Sequence, residues 1–348
     1  MNPVRATSFL PASRYPLRQF NDWPRPLPGI TFDRVIGVGV DSRGLVYVAH
    51  RGEHPLICLH PDGSFCREVG ANVNRQSVAY ARRGPVPVPL ATRYWLHGLH
   101  VDPWDNVWVT DVWRHLVMKF DPEGELVMTL GVDGEFGADE RRFNLPTHVC
   151  VLPSGEFFVT DGYGNSRIVK FNARGERLME WGTRGIGPGE FHTPHVIILG
   201  PDERLYVSDR ENDRVQVFDQ GGKLQAIWPG LHSVDGLCVA PQGGFFAAVG
   251  VDHAVVHLDG EGRAQEVWGE RGMFRYPHGI ATGPDGAIYV ADSGDWWELD
   301  PLTAHLPRRE YKLAPRVGGE GSAVTKWVPT GPAFPPQAGA GPRAILRS

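Results

Sequence analysis

The sequence predicts an all-β chain folded as a six-bladed β-propeller. Three observations carry that expectation. A similar unit recurs six times along the 348 residues. Each copy holds short apolar stretches divided by turn residues. No copy sustains an apolar period of 3.6 residues, which removes helical repeats. Four short strands in a repeat of about forty residues is the pattern of a propeller blade. Gly (43) and Pro (30) then read as turn punctuation.

The first unit begins at Gly37, the second at Gly98, the third at His148, the fourth at Val196, the fifth at Gly236 and the sixth at Gly279. In each, an apolar strand leads into a turn such as PDG, PSG or PWDN. A second strand of the YVAD or WVTD kind follows, then a polar loop, a third strand such as LVMKF or IVKF, and a fourth ending near WG. Between the first two units lies an insertion, residues 71–94, read as a loop over one face. The sixth unit lacks a clear fourth strand. Either RREYKL (Arg308–Leu313) or YPLRQFNDW near the N-terminus supplies it and closes the ring, which an open sheet edge would otherwise leave unpaired. The expected organisation is an N-terminal segment 1–32, a propeller 33–313 and a Pro/Gly-rich tail 314–348.

Composition narrows the function classes. Net charge is −5 with a pI near 6.3, so the basic footprint of a nucleic-acid binder is missing. Cys58, Cys66, Cys150 and Cys238 form no CxxC pair and no disulfide framework. No apolar run reaches the length of a membrane span, and the first twenty residues lack the apolar core of a signal peptide. The expectation is a cytoplasmic protein with no nucleic-acid or membrane partner.

Aligning the units on their turns puts Ile36, His97, Thr147, His195, Asp235 and His278 in one column at the start of each innermost strand. Histidine occupies the second, fourth and sixth places. Alternate blades of a six-bladed ring lie about 120° apart, so these imidazoles converge on the channel axis. Three His with one open position is how catalytic zinc is held. Iron, copper and nickel accept the same ligands. A lone His at a strand start is more often a cap or core residue, and it is the shared column that argues otherwise. His148 and His192 fall off this register and are read as channel-mouth residues.

A hairpin sets the end of the second strand beside the start of the first. With the turn centred between Trp104 and Asp105, His97 is expected opposite Val112. The residues at that mouth are then His50-Arg51-Gly52, Asp111-Val112-Trp113, Asp161-Gly162-Tyr163, Asp209-Arg210-Glu211, Val249-Gly250-Val251 and Asp292-Ser293-Gly294. The repeated Asp is read as a loop-bonding residue. Arg51, Tyr163 and Arg210 break the repeat and face the axis, where Arg suits a developing anion and Tyr near a cation suits a base.

These units resemble NHL repeats. The ordered segments AHRGEH, LHGLH, TDGYGNSR, TPHV and YPHG, spread over residues 33–300, resemble the peptidyl-α-hydroxyglycine α-amidating lyase family. That resemblance implies a propeller with one channel zinc on His97, His195 and His278, a catalytic Arg at Arg51 and a catalytic Tyr at Tyr163. It implies cleavage of a carbinolamide N–C bond to an amide and glyoxylate. The sequence departs from the family in places. Tyr276 stands for its Met, Gly164 for its disulfide Cys, and Gly279 for an Asp that ligates a structural calcium. Val38 and Leu99 retain the carbonyls of that calcium site, but the lost Asp argues against calcium.

The expectation is therefore a zinc-dependent lyase acting on a small-molecule or peptide-terminal α-hydroxy amide. A zinc hydrolase of a small amide or ester uses the same ligands with metal-bound water as nucleophile. A non-catalytic NHL scaffold is the third possibility. Trp113, Arg210, His192, His148 and Tyr276 are expected to line the substrate site.

Overall fold

In a computed structural model, the described residues are 17–20, 22–81, 88–269, 273–294 and 323–329. They form six four-stranded antiparallel sheets and one separate hairpin. The first five sheets are continuous in sequence, beginning with Gly37–Val40, Leu96–Val101, His148–Val151, Pro194–Leu199 and Val234–Val239 as innermost strands. The sixth starts at Pro277–Thr282 and Ile288–Asp292. The six inner strands touch one another in a closed cycle, the last against the first, so the propeller predicted from the repeats is the fold.

The ring closes through the N-terminus. Ala323–Pro329 pairs with Ile288–Asp292, and Leu17–Gln19 pairs with Ala323–Pro329 on the outside. This differs from the expectation, which put residues 323–329 in the tail. The segment AVTKWVP is a strand because Val324 and Trp327 have partners waiting: Val324 packs between blades six and one, and Trp327 between blades five and six. Arg308–Leu313 lies outside the described residues. The 71–94 insertion contains a hairpin, Ser77–Ala81 against Val88–Arg93. Among the described residues no helix is long and apolar enough to cross a membrane.

Apart from one cluster that includes the inserted hairpin, the apolar clusters lie between neighbouring blades. Tyr47, Val107, Val109 and Phe120 join blades one and two; Phe158, Ile197, Leu205 and Phe218 join three and four. Both faces of the middle strands are thus covered, which explains why their burial is continuous rather than alternating. Turn chemistry holds the blades in register. Asp102 accepts hydrogen bonds from the Trp104 and Asn106 N–H groups, and Gly286 takes a positive φ of 77° that its PDG turn requires.

The start of the inner strands departs from a plain hairpin. Leu96 pairs with Asp111 and Leu99 with Val109, so a bulge sits at His97-Gly98. The expected His97–Val112 pairing is replaced by this geometry. The same irregularity falls at Pro194/Ile197, Val234/Gly236 and Pro277/Gly279, so His195, Asp235 and His278 are also bulge residues. A bulge re-aims a side chain beside a strand end. The glycine after the His serves the same packing. A Cβ on Gly98 would overlap the Thr147 carbonyl oxygen, and one on Gly279 would stand 3.0 Å from the Ile36 oxygen.

His50, beside the inner ring, is 0% exposed and its Nδ1 accepts the Gly52 N–H at 3.2 Å, a bond only a neutral ring makes. Burial lowers its pKa to about 4. The unfolded chain therefore binds a proton below about pH 6.5 that the fold refuses, and stability rises with pH across this window. From pH 6.5 to 4 this one group should cost roughly 3 kcal/mol of stability. Urea midpoints of wild type and His50→Gln measured at pH 7 and 4.5 check this. The variant should lose less on acidification, and an equal loss would refute the assignment.

Candidate active site

The six column residues pair off in three hydrogen bonds, each from a His to the column residue of the next blade. His97 Nδ1–H donates to the Thr147 carbonyl at 2.9 Å, His195 Nδ1–H to Asp235 at 2.9 Å, and His278 Nδ1–H to Ile36 at 2.7 Å. A carbonyl only accepts, so each Nδ1 carries the proton and each Nε2 presents a lone pair. Each His is thus oriented by the column residue of the next blade. The three rings are buried and edge-to-face, with centroids 4.8 to 5.0 Å apart.

This donor set fits a metal. One ligand nitrogen from each His lies within 4.8 Å of the others. His97 Nε2 and His195 Nε2 face each other at 3.2 Å. Nitrogens of a tetrahedral three-His site stand roughly 3.3 Å apart. Tyr163 OH lies 3.0 Å from His97 Nε2 and 3.1 Å from His195 Nε2 but has one proton to give. Two opposed lone pairs share one donor, so the pair lacks an electron-pair acceptor. Protonation does not make up the deficit. Burial, then the charges of His278 and Arg51, hold His97 well below the usual imidazole pKa, and burial with Arg210 does so for His195. Burial also lowers His278, to about 3.

Two matching loops present the polar groups. After Phe157–Asp161, the turn Gly162–Asn165 carries Tyr163. Asp161 anchors it, accepting from Asn144 N at 2.7 Å, Asn165 Nδ2 at 2.6 Å and Arg167 Nε at 2.9 Å. After Leu205–Asp209, Asp209 accepts from His192 N at 2.6 Å, Asn212 Nδ2 at 2.8 Å and Arg214 Nε at 2.7 Å, and the turn carries Arg210. The repeated Asp residues are loop anchors, as their type suggested. Arg210 is 1% exposed and donates through Nη1 to Tyr163 OH and to Asp235 Oδ1, each at 3.2 Å, and through Nε to Glu211 at 2.9 Å. Burial opposes its charge, but Tyr163, Glu211 and Asp235 together hold its pKa well above the ordinary value. Burial pushes the Asp235 carboxyl up to about 7 while Arg210 pulls the other way.

Arg51 is buried with its guanidinium 4.7 Å over the Trp95 ring, near enough to lower the pKa values of His97 and His278. Trp113 packs with Trp95, Leu145 and Tyr163 behind the tyrosine. The inserted hairpin backs this aromatic wall, with Trp95 Nε1–H donating to the Ser77 carbonyl at 3.0 Å. Tyr276 lies on the opposite side, its ring 6.5 Å from that of His278, with burial raising its hydroxyl far above the usual pKa.

The structure therefore brings His97, His195, His278, Tyr163 and Arg210 together, with Arg51, Trp113 and Tyr276 around them. Four other expected residues stand outside this group. His192 is part-exposed at the rim, its Nε2 accepting from Arg184 at 3.1 Å. His148 lines a narrow channel void together with His97, His195 and His278 and stands outside the three-His cluster. Val38 and Leu99 line the same void beside Gly279, which brings no carboxylate. The three-His group is the one candidate metal cluster of three or more His, Cys, Asp or Glu side chains among the described residues. Sequence reasoning missed the role of Asp235 and of the Thr147 and Ile36 carbonyls. Their signal was present, since they fill the non-His places of the same column.

NHL repeats match residues 143–171 and 274–295. The chain is 32% identical over 349 residues to the peptidylglycine alpha-amidating monooxygenase of Rattus norvegicus, covering 87% of the chain and 34% of that protein, so it spans about a third of the length of this relative. It is 30% identical over 330 residues to peptidyl-alpha-hydroxyglycine alpha-amidating lyase 2 of Drosophila melanogaster, covering 87% of the chain and 77% of the relative. The chain belongs to the peptidyl-α-hydroxyglycine α-amidating lyase family. The resemblance read from its motifs is borne out, and the amidating lyase 2 relative matches over 87% of the chain. A solved streptogramin B lyase structure superposes with a TM-score of 0.56 at 15% identity, covering 90% of this chain and 98% of that one, a likeness of fold alone.

Proposed function

We propose that the chain is a zinc-dependent lyase that cleaves the N–C bond of a peptide-terminal or small α-hydroxy amide. The observation that carries this reading is the meeting, in a member of the amidating-lyase family, of three Nε2 lone pairs with the Tyr163 hydroxyl and a buried guanidinium. In the reaction, the substrate hydroxyl loses its proton, its oxygen becomes a carbonyl, the N–C bond breaks and the amide nitrogen gains a proton. The products are an amide and glyoxylate, with no water consumed. His97, His195 and His278 would hold the metal, which when bound acts as a Lewis acid on the substrate hydroxyl. Tyr163 takes the hydroxyl proton and returns it to the departing nitrogen, a role supported by the contact of its oxygen with His97 Nε2 and His195 Nε2. Arg210 steadies the charge that forms on Tyr163 as the proton moves. Arg51 neutralises the substrate carboxylate or the developing oxyanion. The aromatic wall of Trp95 and Trp113 keeps water from this side of the site.

The test is product analysis with an N-acyl-α-hydroxyglycine in ¹⁸O-labelled water. A lyase gives the primary amide and glyoxylate in equal amounts with no label in the amide. A carboxylic acid carrying ¹⁸O would instead establish the hydrolase, and release of neither product by the zinc-loaded protein would overturn both.

A further inference from the structure

We propose that Asp235 is a positioning residue of this site, holding Arg210 on the Tyr163 hydroxyl. This rests on the lyase reading, in which Tyr163 moves the proton. Asp235 is 3% exposed and connects to the site by two routes. Its backbone carbonyl orients His195, a contact any residue supplies. Its carboxylate does something specific to Asp. Oδ1 accepts from Arg210 Nη1 at 3.2 Å, and that same nitrogen donates to Tyr163 OH at 3.2 Å. Oδ2 accepts the Gly250 N–H at 3.2 Å, which fixes the carboxylate in place.

The guanidinium is therefore pulled from two directions. Glu211 holds Nε on the rim side, and Asp235 holds Nη1 on the channel side. A rim carboxylate alone leaves Nη1 free to swing off the tyrosine about the Cδ–Nε bond. Two fixed acceptors remove that freedom, the preorganisation a positioned catalytic group needs. The neighbouring chain makes room for this clamp. A Cβ on Gly250 would stand 2.6 Å from Asp235 Oδ2 and overlap the Tyr276 ring, so glycine there lets the carboxylate and Tyr276 sit side by side. The equivalent place after the other second strands holds Arg51, Val112, Gly162, Arg210 and Ser293.

The experiment compares Asp235→Ala, Asp235→Asn, Arg210→Ala and the Asp235→Ala/Arg210→Ala double variant, all zinc-loaded, on an N-acyl-α-hydroxyglycine. Asp235→Ala should lower kcat at least tenfold with KM within threefold and metal content unchanged. Asp235→Asn keeps an acceptor oxygen and should recover to within threefold of wild type. In the Arg210→Ala background the same Ala change should cost under twofold, because Asp235 acts through Arg210. Equal cost in both backgrounds, or metal loss in Asp235→Ala, would overturn the proposal. Crystal structures give a readout independent of turnover. Arg210 Nη1 should leave hydrogen-bond distance of Tyr163 OH in Asp235→Ala, and its remaining there refutes the clamp even if wild type proves inactive. Should Asp235→Ala fail to fold, Asp235→Ser, too short to reach Arg210, takes its place.

Discussion

Replacing His195 with Ala is expected to abolish zinc binding and to lower turnover on the order of 10³-fold or more. Losing an outer partner of a ligating His already costs 10–100-fold in metal affinity or activity, and in the proposed site His195 is itself a ligand. A Lewis acid contributes several kcal/mol to the transition state, which corresponds to about three orders of magnitude in rate. The fold should survive. The substitution leaves the Asp235 carbonyl without its donor, at about 1 kcal/mol, but it also removes one of two nitrogens opposed at 3.2 Å. The melting temperature without metal should thus move little, while the rise that zinc gives wild type disappears. Metal analysis of the purified protein and thermal melts with and without zinc check this. His148→Gln is the control: its ring lines the same channel outside the three-His cluster, and it should keep a full equivalent of zinc. A His195→Ala protein that retains stoichiometric zinc would end the three-His assignment.

How much of this was legible beforehand depends on what kind of fact is asked for. Turn residues recur at fixed spacing, so the blades and the column of His97, His195 and His278 follow from counting. The anchoring role of Asp161 and Asp209 also follows, since Asp after a strand bonds its own loop. The bulges do not follow. Counting residues assumes both the turn centre and an unbroken ladder; the turn sets the ladder one residue off the count, with Leu99 opposite Val109, and an extra residue at His97-Gly98 shifts the partners beyond it again. Nor does the closing strand. Ala323–Pro329 is separated from its sheet partner Ile288–Asp292 by a stretch longer than any loop within the other blades, and no local signal links them. Arg210 was readable as an axis residue, but its clamp needs three groups from different blades at hydrogen-bond distance. Such contacts are set by tertiary packing and leave no spacing in the chain.

Tyr163→Phe should lower kcat by about 10²- to 10⁴-fold, the range for loss of a positioned proton-transfer group, with zinc content and fold retained. The ring and the hydroxyl have separable duties. The ring packs with Trp95, Trp113, Val112 and Leu145 and stands edge-on to His97 and His195, contacts that Phe reproduces. The hydroxyl alone meets His97 Nε2, His195 Nε2 and Arg210 Nη1. Removing it leaves Arg210 with Asp235 and Glu211, so no buried charge loses its last partner and the stability cost should stay near 1–2 kcal/mol. Metal content distinguishes the two ways the variant can fail. If zinc is lost with the hydroxyl, Tyr163 is a ligand and not a base. If zinc stays and kcat is unchanged, the proton leaves the substrate by another route and the role given to Tyr163 is wrong. Zinc retained with kcat down and KM within a fewfold is the pattern of a group that acts in the transition state alone.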